Sequence, residues 1–304
     1  MLNIPLHFFD NCPALRSLHI SPPFPGRYLT KVPSLPWSQI RWLRLFIAYN
    51  VGAFPILSRC SGVQHLEANR VGFPYSQSYS DHVVSNEITA LDVTSAFDQN
   101  EVDGVFQHTT LKALSSLKIC GGIRSMSGQT TWLEWNETRL RDFLQRSSCT
   151  ITSLYLKNLP ISDEQTLSLL RMMPNISSLC IEELRNEGEN RIVTKTFLNG
   201  FDAKTSLTFP FSSPLVPRLA ELKLVVHAKD LHSDPFTKAL LCRWLPDPSE
   251  ATELGVDCLQ SIAIVVILGP NQEGGCLDGL LGFRDAGMRL AITYGTVSEL
   301  YPHD

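Results

Sequence analysis

One short pattern of apolar positions recurs along the chain, with apolar residues at i, i+3 and i+5 and mostly polar residues between. It begins as Leu15-Leu18-Ile20, Ile40-Leu43-Leu45 and Val63-Leu66-Ala68. It continues as Ile88-Leu91-Val93, Leu114-Leu117-Ile119, Ile151-Leu154-Leu156 and Ile176-Leu179-Ile181. Leu219-Leu222-Leu224 and Leu259-Ile262-Ile264 complete the series. Successive starts differ by 25, 23, 25, 26, 37, 25, 43 and 40 residues. Positions i+3 and i+5 lie two apart, so they point to one side of a strand, and the residue at i seals the same core from the incoming turn. No repeat can bury that face alone, so the pattern predicts strands stacked in parallel over a shared core.

The stretches between the phrases carry helix signals. Ser162-Asp163-Glu164-Gln165 has capping-box spacing, followed by Leu167, Leu170 and Met173 and stopped by Pro174. Leu140, Phe143 and Leu144 follow helical spacing after Thr138, and Ala239, Leu240 and Trp244 do so before Pro246. Pro13, Pro174 and Pro217 each stand two residues before a phrase, where proline ends a helix and sets an extended entry. Five of the intervals match the period of roughly 20 to 29 residues of leucine-rich repeats. The expectation is an α/β fold: a leucine-rich-repeat solenoid, or horseshoe, with a parallel sheet on its inner face and helices outside. It forms a single domain over 1–304, with irregular insertions near 121–130, 185–217 and 269–286. Blocks such as Glu221 to Val226 and Ser261 to Leu268 are strand-like, which argues against an all-helical repeat.

Composition narrows function. Of 304 residues 43% are hydrophobic, enough for a sizeable core, and 18% are charged, against roughly 25% in an average domain. Sandwiching each repeat between neighbours explains the low charge. The net charge of -4 and pI near 6.1 lack the basic footprint of a nucleic-acid binder, so no nucleic acid is expected. The longest clean apolar run, Ile262 to Leu268, is far below the roughly 18 residues of a membrane helix, and Met1 to Asp10 has no signal-peptide pattern. The expectation is an intracellular protein, cytoplasmic or nuclear, without a membrane partner.

Catalytic motifs are missing from the sequence. Gly269 to Gly279 lacks the Gly-Lys-Ser/Thr ending of a phosphate-binding loop and is expected as a plain loop. No Gly-x-Ser-x-Gly elbow, no His-Glu-x-x-His and no Cys-x-x-Cys occurs. His227 and His232 are expected at the surface or in loops. Glu182 and Glu183 are neighbours on a strand and should point apart. Cys12 and Cys60 precede a phrase by three residues and Cys149 by two, which predicts a recurring small buried slot. No enzyme, no cofactor and no metal is expected. The competing expectations are a hydrolase or transferase with its site in the loop insertions, and a non-functional truncated fragment.

Several blocks carry a family resemblance: Asn11 to Ile20, Ser58 to Ala68, Met172 to Ile181, Val216 to Leu224 and Gly287 to Ile292. In pattern they resemble the repeat region of the fungal F-box/leucine-rich-repeat proteins, over nearly the whole chain. The resemblance implies a substrate-recognition role in a ubiquitin ligase. Members of that family open with an F-box that docks a ligase adaptor, and Met1 to Tyr49 contains no match to it. Adaptor binding is therefore expected only if an F-box exists upstream. The apolar start, Leu2 to Phe9, is similar to the helical half of a preceding repeat.

What remains for function is the face opposite the core, expected as the concave one. The strand residues flanking i+3 and i+5 place there Ser17 and His19, then Trp42, Arg44 and Phe46, then His65, Glu67 and Asn69, then Asp92. Lys118 follows, then Tyr155 and Lys157, and then Glu182. Trp, Tyr and Arg are enriched in binding hot spots. The expected function is non-enzymatic protein binding. Its candidate residues are Trp42, Arg44, Phe46, His65, Glu67, Asp92, Lys118, Tyr155, Lys157 and Glu182, with Trp42, Arg44, Phe46, His65 and Glu67 as the best patch.

Overall fold

The structure is a computed structural model. It describes residues 12, 14–20, 36–46, 54–69, 82–95, 99–121, 135–183, 192–202, 214–231, 233–269, 272, 274–275 and 277–300. Most of the expected insertions, and His232, lie outside the described residues. The chain is α/β with parallel sheet, and it divides into two compact units, 1–150 and 151–304.

In the first unit the strands are β1 (Ser17–Ile20), β2 (Trp42–Phe46), β3 (His65–Asn69), β4 (Val83–Ser85), β5 (Ala90–Thr94), β6 (Thr109–Leu111) and β7 (Ser116–Cys120). The helices are α1 (Phe54–Leu57), α2 (Gln99–His108) and α3 (Thr138–Ser147). Strands β1, β2, β3, β5 and β7 pair in that order, all parallel, and β4 pairs with β6 in a separate parallel ribbon. The phrase sets the register: Leu43 faces Leu66, Leu91 and Leu117 in turn. One residue of each turn repeats the same bonding. The Arg16 carbonyl accepts the N–H groups of Arg41 and Trp42, Arg41 those of Gln64 and His65, Gln64 those of Thr89 and Ala90, and Thr89 those of Ser115 and Ser116. The outer helices pack together through Phe106 and Phe143, with ring centroids 5.1 Å apart. Ser147 on α3 accepts the Leu111 N–H at 3.1 Å and ties that helix to β6.

The second unit repeats the scheme with β8 (Ser153–Lys157), β9 (Ser178–Glu182), β10 (Glu221–His227), β11 (Ser261–Ile267) and β12 (Arg289–Gly295). They pair in chain order, all parallel. Its helices are α4 (Asp163–Arg171), α5 (Lys195–Phe201), α6 (Ser233–Leu241), α7 (Pro248–Leu254), α8 (Leu281–Asp285) and α9 (Val297–Leu300). The capping box on α4 forms as its sequence predicts: Ser162 Oγ accepts the Gln165 N–H, and the Gln165 side chain accepts the Ser162 N–H. Helix α6 stops at Leu241, short of Trp244, whose ring instead meets Phe283 edge-on at 5.4 Å.

From the second phrase through the ninth, every i, i+3 and i+5 residue is buried to 4% exposure or less. Two buried polar groups serve the fold. Arg243, fully buried, donates to the carbonyls of Phe201 at 3.0 Å, Val216 at 3.2 Å and Leu215, and lies over the Phe201 ring. It fixes Val216 at φ +40, a conformation that β-branched residues avoid. Burial lowers its pKa to about 10, with Asp202 opposing the shift. Glu183 Oε1 accepts the N–H groups of Ile192 and Val193. His227 is also buried, contrary to the surface or loop position expected for it, because β10 runs seven residues and carries the pairing past the phrase to Ile267.

Candidate binding face

In the first unit the register lines up one row of side chains on the face opposite the core. His19 pairs with Arg44, Arg44 with Glu67, Glu67 with Asp92, and Asp92 with Lys118. The row above it aligns Trp42 with His65. Alternation along each strand puts these residues on one face while Leu43, Leu66, Leu91 and Leu117 go to the core.

Glu67 is the hub. It is buried, yet both its oxygens are occupied: Trp42 Nε1 donates to Oε1 at 3.0 Å, and Arg44 Nε donates to Oε2 in an ion pair. Burial pushes the carboxyl up, but the Arg44 bond and charge, the Trp42 N–H and His65 outweigh it and hold Glu67 below the usual carboxylate range. The same contact raises Arg44. The Trp42 and His65 rings stack with centroids 4.4 Å apart and planes 16° from parallel. Despite these contacts Trp42 is 44% exposed. On the far side of Glu67, Asp92 Oδ2 stands 3.7 Å from Lys118 Nζ. His65 Nε2 stands 3.6 Å from Asp92 Oδ2 and 3.9 Å from Glu67 Oε1. Of the five-residue patch expected from sequence, Trp42, Arg44, His65 and Glu67 come together. The Phe46 side chain lies outside the described residues.

The second unit holds a separate cluster. Glu182, at the end of β9, is buried and accepts the Tyr155 hydroxyl at 2.5 Å. Lys157 Nζ approaches its Oε2 at 3.2 Å and Lys223 Nζ its Oε1 at 3.5 Å. Burial again pushes the carboxyl up, and Tyr155, Lys157 and Lys223 together hold it below the usual range. Glu182 and Glu183 do separate as expected, one to the face and one to the backbone of Ile192 and Val193.

No protein-family model, curated protein or solved structure matches this chain.

The sequence reading missed two groupings. His65, Glu67 and Asp92 offer three ligand atoms within 4.8 Å of one another. His82 and Arg146 converge on Thr110, at 2.8 Å and 3.2 Å, where burial, His82 and Arg146 hold His108 below its ordinary pKa. The first needs the register of β3 on β5 and the second the pairing of β4 with β6, and neither is written in local spacing. Among the described residues no disulfide joins two cysteines. Cys60 is buried, which pushes its thiol up to about 12, and its carbonyl accepts the Val63 N–H in the turn before the phrase. Cys12 holds the equivalent bond to Leu15, although Cys12 and Cys149 are only half-buried. Among the described residues no helix is long and apolar enough to cross a membrane.

Proposed function

We propose that this chain is a non-enzymatic, protein-binding leucine-rich-repeat module whose concave sheet face engages a protein ligand, similar to the substrate-recognition part of an F-box ubiquitin ligase. The observation that carries this reading is the pairing of exposure with rigidity at Trp42 and Arg44. Both are hot-spot residue types, both stand open to solvent, and both are fixed in place by a buried carboxylate. Side chains already ordered lose little freedom on docking. The recurrence of the 23- to 26-residue interval and of one turn carbonyl serving two N–H groups supports the solenoid reading. An intracellular site, cytoplasmic or nuclear, goes with this role, and a ligase adaptor joins it only if an F-box exists upstream.

Affinity capture tests the reading, comparing wild type with Trp42→Ala/Arg44→Ala. Partners that drop out of the double variant are expected, and an unchanged set of partners would overturn the assignment of this face.

A further inference from the structure

His65 is the residue that the network around Glu67 leaves incomplete. Its Nε2 is closed off from water and makes no hydrogen bond, with the two nearest carboxylates beyond hydrogen-bond distance at 3.6 and 3.9 Å. Buried polar atoms without a partner are few in folded proteins, and each calls for an explanation. Stacking on Trp42 fixes the ring plane, so Nε2 stays aimed between Asp92 and Glu67.

We propose that His65, Glu67 and Asp92 form a binding site for a divalent transition-metal ion of the zinc type. Bonds of about 2.1 Å to nitrogen and oxygen at tetrahedral angles place neighbouring ligand atoms about 3.4 Å apart. The two distances from His65 Nε2 lie within half an ångström of that spacing, and all three atoms lie within 4.8 Å. Small side-chain rotations close the set. An imidazole beside two carboxylates suits zinc and its neighbours, whereas calcium and magnesium take oxygen ligands in greater number. The surroundings also fit. Arg44 holds the second Glu67 oxygen, Oε2, and orients the carboxylate from behind, as outer groups do in metal centres. Lys118 faces Asp92 from β7 and is 36% exposed, so it can swing into water as the metal arrives. Three protein ligands leave a fourth position open to water or to a group on a docking partner. The site rests on the geometry of β3 and β5 and stands whether or not the face binds a protein.

The test is titration of the full chain with Zn²⁺ by calorimetry and with Co²⁺ by absorption spectroscopy. One saturable ion per chain is expected, with a rise in melting temperature on addition. Affinity should weaken as pH falls, because the imidazole must bind unprotonated. His65→Ala and Asp92→Asn should each weaken binding at least tenfold, while Glu250→Gln, exposed on α7, leaves it unchanged. Circular dichroism checks that the variants are folded. Absence of saturable binding below millimolar metal would overturn the proposal. Binding that survives both ligand variants, or a thiolate-to-cobalt charge-transfer band marking cysteine ligation, would overturn it equally.

Discussion

Glu67 in the first unit and Glu182 in the second are both carboxylates buried on the face of a parallel sheet, but their surroundings differ. Glu182 sits at the end of its strand, where a tyrosine hydroxyl and two lysines meet both oxygens. Glu67 sits in mid-strand with an acid on the next strand and a histidine two residues before it. Arg44 meets one of its oxygens and the Trp42 N–H the other, yet the His65 Nε2 still faces two carboxylates without a hydrogen bond. A closed cluster stabilises the sheet it sits on, whereas an open one also presents donors and acceptors to something else. The difference comes from neighbours in the pairing order, not from the glutamates.

The largest expected effect strips one cluster of its cations. Lys157→Met with Lys223→Met leaves Glu182 buried with only Tyr155, and should cost about 2 kcal/mol in urea unfolding, since an uncompensated buried charge is expensive. Arg44→Met should cost visibly less, because Arg44 is open to water; an equal or larger loss there would break the contrast. Next come the neutral donors. Tyr155→Phe removes the shorter bond and should cost about 1.5 kcal/mol, against about 1 kcal/mol for Trp42→Phe, which keeps the stacking on His65. If the order reverses, the Glu67 cluster is the more tightly built of the two.

The smallest effect is in pH. Both carboxyls are held below their ordinary value of 4.5. A lowered value in the folded state contributes stability above 4.5 that is lost as pH falls through the folded value. Wild type should therefore lose stability more steeply than Glu67→Gln or Glu182→Gln as pH falls below about 4.5, and in parallel with them above it. Parallel slopes for all three proteins would show that neither pair favours the folded state.

The apolar phrase was enough to place nine of the strands and their buried side, because period two and the strand's short length leave few alternatives, whereas β4, β6 and β12 carry no copy of it. The Ser162 cap was equally legible, because it is a local pattern. Helix α2 was not singled out, although Val102, Val105 and Phe106 hold helical spacing, because Gly104 and six polar residues dilute it. Helix α7 announced itself with Asp247 as N-cap and Pro248 in its first turn, a signal that was available and unused. The face residues could be enumerated from alternation alone, but not which of them would be buried. Glu67 looks like any surface glutamate until the strands on either side supply an arginine and an aspartate.

Within each unit one turn residue offers a single carbonyl to two N–H groups of the next strand's entry: Arg16, Arg41, Gln64 and Thr89 in the first, and Thr152, Ser177 and Ala220 in the second. The backbone part of this joint is the same at every junction it serves, and the hydroxyls of Thr89, Ser115 and Ser177 add a bond to the same carbonyl at three of them. A whole repeat can be duplicated, deleted or exchanged and still find its docking point, while a single residue gained or lost inside a phrase turns a strand inside out. Where the phrase spacing is 23 to 26 residues, the segment between two such carbonyls is therefore the unit that can be gained or lost with the joint intact.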